Sequence, residues 1–379
     1  VTSPRELTND LLGVWRSHQL ADESLRGPFF SPEYIQHVAS ERPDVAVAIV
    51  ETPGQPPAFL PFHRDRSNVA RPVGLRANDF SGIIASPGCA WSPAAVIREC
   101  GLAGWDFTNV VTSQQPMQPY FQSFAESPYT DLRGGVEAFA QDRGRAGSDL
   151  VRSIAQKTRK LEREVAPIRF EVHISDRHVL ALLYQWKGAQ RERTGTFDVL
   201  SLPWMRQTLE RILDTSTPTF AGLLSVLYAG DRIAAIHLGM RSDTVWHYWF
   251  AAYNRELQQY SPGLIILLEM IRSAPTIGIQ TLTLGVGDEP YKLRFATGST
   301  RLASGSVDCR LTRRLTNAIW YAARRASRRS RVVAALAHSV KRGRRALSAR
   351  PASPAARFEE SDPSAVGRRT SRRDERGGT

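Results

Sequence analysis

The chain has 379 residues with 42% apolar content, enough for two domains with cores of their own. Its excess of +13 is confined to one end: positions after 309 hold 19 Lys+Arg and 5 Asp+Glu, positions 1–309 hold 31 and 32. Charge therefore bears on a partner for the tail and not on the chemistry of the body. No apolar run reaches the roughly 18 residues of a membrane span.

Pro4 to Leu20 sets Leu7, Leu11, Leu12 and Trp15 on one helical face. Ser31-Pro32-Glu33 starts a second helix, with Ser at the N-cap and Pro at the first helical position. Asp44 to Glu51 reads as a buried strand and Pro53-Gly54 as its turn. Ala58 to His63 returns, its Pro61 predicting an edge or a bulge. Gly82 to Ala85 and Trp105 to Val110 read as further strands. Ser148 to Val165 alternates charges on a helical period and reads as a solvated helix or a connector.

The second half repeats the plan. Ile168 to Ile174 is a strand, and Asp176 caps a helix to about Thr194 bearing Leu180, Leu183, Tyr184 and Trp186. Trp204 to Leu213 is another helix. Leu223 to Tyr228, Arg232 to Met240 and Thr244 to Ala252 form a meander with Gly230-Asp231 and Ser242-Asp243 in its turns. Ser261-Pro262-Gly263 opens a helix to about Ala274, and Gln280 to Leu284 is a last strand. The order of elements predicts an α+β protein with two similar halves, 1–147 and 148–309. Cys89, Cys100 and Cys309 are odd in number and lack ligand spacing, so neither a disulfide framework nor a metal site is expected. The N-terminal residues are polar, with no leader-like apolar stretch, and the expected location is cytoplasmic.

Three pieces of the second half carry a family resemblance. They are Gly230-Asp231 with Ile233-Ala234-Ala235, Tyr260-Ser261-Pro262-Gly263 before an apolar helix, and Gly285-Val286-Gly287-Asp288-Glu289-Pro290-Tyr291-Lys292 with Phe295. In this order and spacing the run resembles the GNAT-type acetyltransferases associated with cellulose biosynthesis, the CelD/BcsL group, relatives of the FemAB-like transferases. The resemblance implies tandem acyl-CoA N-acyltransferase domains: mixed, mainly antiparallel sheets flanked by helices. It also implies transfer of an acyl group from acetyl-CoA or another acyl-CoA to an amine or hydroxyl, with no metal.

On that reading Ser261, Pro262 and Gly263 seat the pyrophosphate, because the first amides of a helix lack internal partners and its dipole is positive there. The common Gln/Arg-x-x-Gly-x-Gly/Ala corner is present only as Gln258, Gln259 and Gly263. Phe250, Ala251 and Ala252 offer a strand edge to the pantetheine amides. Asp288 and Glu289 are candidate bases if burial beside Tyr291 raises a carboxylate, and otherwise cap the turn. Tyr291 and Lys292 complete the catalytic candidates, Lys292 pairing with an acid, holding a phosphate or orienting the acceptor. Trp186, Arg191 and His247 are the acceptor-binding candidates. His237 and His247 lie on neighbouring strands, where a histidine is a base or a satisfied structural residue. The third glycine of a dinucleotide loop, a Walker loop, His-Glu-x-x-His and Gly-x-Ser-x-Gly are all missing.

Positions 310–350 read as a basic amphipathic helix, suited to an anionic membrane surface, and 351–379 as a disordered tail. The expected partners are a small-molecule or glycan-precursor acceptor and such a surface at the inner face of the plasma membrane. Nucleic acid is not among them. An aminoacyl-tRNA-dependent transferase and a non-catalytic scaffold are the alternatives.

Overall fold

The computed structural model describes residues 1–309 together with Arg313, Thr316, Asn317 and Ile319. The helix expected over 310–350 and the segment 351–379 lie outside the described residues. Helix α1 (Asn9–Ala21) is capped by Thr8, whose hydroxyl accepts from Leu11 N, and α2 (Pro32–Glu41) begins with Pro32 as the sequence predicts. They lead into the hairpin β1 (Val45–Thr52) and β2 (Gln55–Arg64). The short β3 (Val69–Arg71) is antiparallel to β2 and parallel to β4 (Gly104–Val111), which follows α3 (Pro93–Glu99). Pro61 is opposite Val47 of β1, on a stretch of β2 that β3 does not reach, so its missing N–H breaks no ladder on that side. The strand expected over 82–85 is reduced to isolated bridges at Ser81 and Ile84.

Beyond β5 (Phe121–Asp131) come α4 (Gly135–Arg145), α5 (Leu150–Glu164) and β6 (Ile168–Glu171). Helices α6 (Arg177–Thr194) and α7 (Pro203–Leu213) precede the meander β7 (Ala221–Ala229), β8 (Arg232–Arg241) and β9 (Val245–Tyr253). Helix α8 (Pro262–Ser273), β10 (Thr281–Thr283), α9 (Pro290–Phe295) and β11 (Gly298–Asp308) complete the order.

The sheets expected from two halves are one sheet of 11 strands, in the order β1-β2-β3-β4-β11-β5-β10-β9-β8-β7-β6. The halves exchange their last strands. β5 pairs with β10 and β11, while β11 returns to lie between β4 and β5, antiparallel to both. Small side chains allow that insertion: a Cβ at Gly305 would come within 2.0 Å of Tyr120 O. Val1–Asn317 accordingly form one compact unit.

On one face Trp15, Phe29 and Tyr34 from the first half share a core with Leu180, Leu183, Met205 and Leu209 from α6 and α7. On the other, Ile154 of α5, Ile265 and Leu268 of α8 and Phe295 of α9 cover Trp246 and Leu282. Each fully buried side chain of this size contributes about 1.5–3 kcal/mol. The two helical layers therefore hold β9 and β10 rigidly from both faces. Among the described residues, no helix is long and apolar enough to cross a membrane.

Candidate active site

β9 and β10 run parallel for only three rungs, the last joining Thr283 to His247. The chain beyond β10 then follows β5, with Leu284 N donating to Pro128 O at 2.8 Å and Gly287 N to Glu126 O at 3.2 Å. β9 instead stays paired with β8 as far as Tyr253. A bulge makes both Tyr248 and Trp249 oppose Gly239, between the pairs Leu238–Phe250 and Met240–His247. Glycine is required there, since a Cβ at position 239 would lie 2.2 Å from His247 O. His237 completes the bulge by accepting from Trp249 N through Nε2 at 3.2 Å, while its ring stacks on Tyr248 at 4.7 Å. Burial first, and the neighbouring His247 second, push the His237 imidazole well below its usual range. It is a neutral acceptor, and its buried Nδ1 has no partner among the described residues. The result is a V-shaped opening between Tyr248–Tyr253 and the segment 284–287, with the far edge of β9 unpaired by β10.

The N-terminus of α8 lies on from the open end of β9. Ser261 takes a left-handed conformation (φ 54°, ψ 54°), which is uncommon for a non-glycine residue. Leu264 N turns back to Ser261 O at 2.9 Å, and Pro262 has no amide hydrogen, so Gly263 carries the first N–H of the helix. Lys157 reaches across from α5 and donates to Ser261 Oγ at 2.6 Å. A lysine ammonium beside a helix N-terminus makes this corner electropositive. Sequence reading missed Lys157 because its helix looked solvated, whereas Leu150, Ile154 and Leu161 are buried. The charge alternation obscured the buried stripe.

The loop carrying Asp288 and Glu289 differs from expectation. Both acids are exposed and not buried beside Tyr291. Glu289 Oε2 pairs with Lys292 Nζ at 3.0 Å, and the same ammonium donates to Val286 O at 2.9 Å and Gly285 O at 3.4 Å. Lys292 is therefore buried and committed to holding the turn closed. Tyr291 faces the opening, edge-on to Tyr248 at 6.5 Å. Burial, then the Glu289 and Asp79 carboxylates, raise its hydroxyl above the usual phenol range, so it keeps its proton.

His247 lies at the apex of the V and is fully buried. Its Nδ1 meets Thr283 Oγ1 at 2.8 Å and its Nε2 meets Asp79 Oδ2 at 3.1 Å. Asp79 comes from the first half, in a stretch where sequence reading placed no element. Its only signal was an Asn-Asp pair in a loop, the kind of position that carries function. Phe250 is buried against Trp249 at 4.7 Å, Ala252 is buried, and Ala251 is half-buried. Trp186 packs on the shared core. Arg191 Nη1 donates to Thr196 Oγ1 at 3.3 Å, and the Arg76 guanidinium covers the exposed Phe197 ring at 4.9 Å. One turn before Arg191, Lys187 is buried, with Nζ donating to Gln190 Oε1 at 3.0 Å. Burial, then the charge of Arg191, push Lys187 down to about 8, with Asp198 opposing.

A sheet splayed after one parallel rung set, with a helix N-terminus at its open end, defines a GNAT-type acyltransferase fold. In agreement, a family profile described as an Acetyltransferase (GNAT) domain matches residues 148–293. FemX superposes with a TM-score of 0.52 at 12% identity, covering 82% of this chain and 98% of that one. The C-terminal domain of a lysylphosphatidylglycerol synthetase candidate from Agrobacterium fabrum gives 0.51 at 12% identity, covering 82% and 95%. A tandem GNAT protein from the clavulanic acid biosynthesis pathway aligns over 81% of this chain and 96% of its own at 0.43 and 11% identity. No curated protein matches the chain by sequence.

Proposed function

We propose that the chain transfers an acetyl or other acyl group from acyl-CoA to an amine or hydroxyl. The observation that carries this reading is the opening between β9 and the chain beyond β10, ending at the electropositive corner of α8. The pantetheine arm adds along the free edge of β9 at Phe250, Ala251 and Ala252 as an extra strand. The pyrophosphate lies at Ser261, Pro262 and Gly263, with Lys157 supplying charge. Tyr291, holding its proton, donates a hydrogen bond to the sulfur as the thioester breaks. Isothermal titration with acetyl-CoA tests this: micromolar heat and a thermal shift are expected, and neither effect at millimolar ligand would defeat it.

The acceptor enters from the side of α6, past Trp186 and Arg191, whereas His247, expected there from the sequence, is fully buried behind Asp79 with both ring nitrogens engaged. Arg76, Lys187 and Arg191 lie on this side, which favours an acceptor bearing phosphate or carboxylate. The sequence likeness to cellulose-biosynthesis acetyltransferases supports a polysaccharide or cell-envelope precursor as that acceptor. Free-thiol release during a screen of such precursors narrows it. The concentration of charge after position 309 supports a tail that binds anionic membrane at the cytoplasmic face. Equal, negligible sedimentation with anionic vesicles by the full chain and by residues 1–309 would rule that out. An aminoacyl-tRNA donor has only the basic tail in its favour. A non-catalytic scaffold predicts no acyl-CoA binding.

A further inference from the structure

The loop 73–80 belongs to the first half, yet it is built to hold one side chain in the second half's opening. Gly74 N donates to His63 Nε2 at 3.1 Å, and Asn78 Nδ2 donates to Val73 O at 2.6 Å. Phe80 N donates to Asn78 Oδ1 at 2.7 Å, and Asn109 Nδ2 to Asn78 O at 3.0 Å. From the second half, Trp249 Nε1 donates to Ala77 O at 2.9 Å. His63 is buried, and its Nδ1 is tied to Asp44 at 3.2 Å. A carboxylate only accepts, so the His63 proton sits on Nδ1 and Nε2 is left to receive the Gly74 amide. Buried, fully partnered polar groups of this kind fix a loop in place.

Asp79 is the one acid on that loop. Its Oδ2 meets His247 Nε2 and lies 2.7 Å from where a Cβ on Gly285 would stand, at the apex of the V. By the same logic His247 presents a proton on Nε2 to the carboxylate, while its Nδ1 lies 2.8 Å from the Thr283 hydroxyl. The imidazole is wedged edge-on by Phe29 at 4.8 Å and Phe80 at 6.1 Å, so it orients the carboxylate and does not swing. Asp79 is 27% exposed at its side chain, and Oδ1 has no hydrogen-bond partner among the described residues. An oriented, partly solvated carboxylate with a free oxygen at the reacting end of a thioester slot has the geometry of a base.

We infer that Asp79 is the general base of this site, supplied by the first half, with His247 as its positioning residue. The inference rests on the acyl-transfer reading above. Asp79 takes the proton of the attacking N–H or O–H as the new bond to the thioester carbon forms. The C–S bond breaks, and the sulfur leaves as thiolate, hydrogen-bonded by the Tyr291 hydroxyl, which keeps its proton. Asp79 releases the proton it took to water, from which the departed thiolate can be protonated, so the enzyme ends as it began.

The test uses the full chain, acetyl-CoA, and two nucleophiles that need no knowledge of the acceptor. Water requires a base, whereas hydroxylamine attacks without one. D79N is expected to bind acetyl-CoA as the wild type does, to lose about 100-fold in hydrolysis, and to lose less than tenfold in hydroxamate formation. Equal hydrolysis by the two forms, at whatever level, would overturn the inference. So would equal losses with both nucleophiles, which indicate misplaced substrate. If D79N does not fold, D79E keeps the charge while displacing it, and hydrolysis at the wild-type rate overturns the inference. Failure of the wild type to bind acetyl-CoA defeats the acyl-transfer reading itself, and this inference with it.

Discussion

The two halves of the sheet open at the same topological position and fill the opening differently. In the second half β9 sits between β8 and β10 and leaves β10 after His247. In the first, β3 lies between β2 and β4, and Ser81–Ile84 continues that place, bridging Phe59 of β2 antiparallel and Val110 of β4 in parallel. There the protein closes the gap itself. Gln114 Nε2 donates to Ile83 O at 2.7 Å, and Gln114 Oε1 accepts from Ile83 N at 3.1 Å. A side-chain amide thus occupies the backbone groups that an extended ligand amide would use. The helix start in the first half is spent internally as well, with Ser92 Oγ accepting from Ala95 N. One half has sealed its slot and rigidified the loop that carries Asp79. The other keeps a strand edge, a helix end and a lysine available.

The sharpest way to break this contrast is to remove the open slot. G239V places a Cβ against His247 O and the His237 ring, within 2.2 and 2.6 Å. Both neighbours are buried, so the bulge must flatten. A loss of about 3 kcal/mol in denaturant unfolding is expected, together with loss of acetyl-CoA binding. Unchanged stability would mean that the bulge is soft and the splay is not enforced by it.

The closed slot gives a control of the opposite sign. Q114A strips both partners from Ile83 and costs about 2 kcal/mol of stability, while acetyl-CoA affinity at the other slot stays within twofold. A matching fall in affinity would show that the halves act as one binding unit and that the contrast is wrong.

K157A sharpens the same comparison at the helix end. The ammonium contacts Ser261 Oγ at a helix N-terminus that has an anion to meet only when ligand is bound. About a tenfold loss of CoA affinity is expected, near 1.4 kcal/mol, with little change in melting temperature. A full effect on stability and none on affinity would make Lys157 a structural strut.

How much of this was legible in the sequence differs by residue. The helix starts at Pro32 and Pro262 and the meander over 221–253 follow from caps and apolar periodicity, which are local. β11 does not, because Gly298–Asp308 is rich in small polar residues and becomes a strand only between two neighbours already in place. The exchange of β5 and β11, and with it the single sheet, is set by pairing partners far apart in the chain. At the site, Gly285–Lys292 was visible as a turn, and the pairing of Lys292 with Glu289 follows from its spacing. Asp79 and Lys157 were not visible, since one lies on a loop and the other in a charge run. Their chemistry depends on which element they face.

The smallest expected effect tests one helix from each half, α1 and α6. In α1 the buried His18 is satisfied on both sides, by Pro57 O and Ser86 Oγ at 2.9 Å each. In α6 the buried Lys187 has Gln190 as its hydrogen-bond partner and is pushed down to about 8. Below pH 8 the ammonium is charged in both the folded and unfolded chain, and the full cost of burying it is present. Between pH 8 and about 10.5 the folded protein releases the proton while the unfolded chain keeps it. The unfolded state then binds more protons, so stability rises with pH across that window. K187M should therefore raise stability by about 1 kcal/mol at pH 7, and the gain should fade as pH approaches 10.5. Unfolding curves at pH 7, 9 and 10.5 measure it. A gain that does not change with pH would mean that methionine simply packs better, and Lys187 would then stand with His18 as a settled core residue. A gain that fades marks α6, unlike α1, as a helix that keeps a costly cation beside the proposed acceptor entrance.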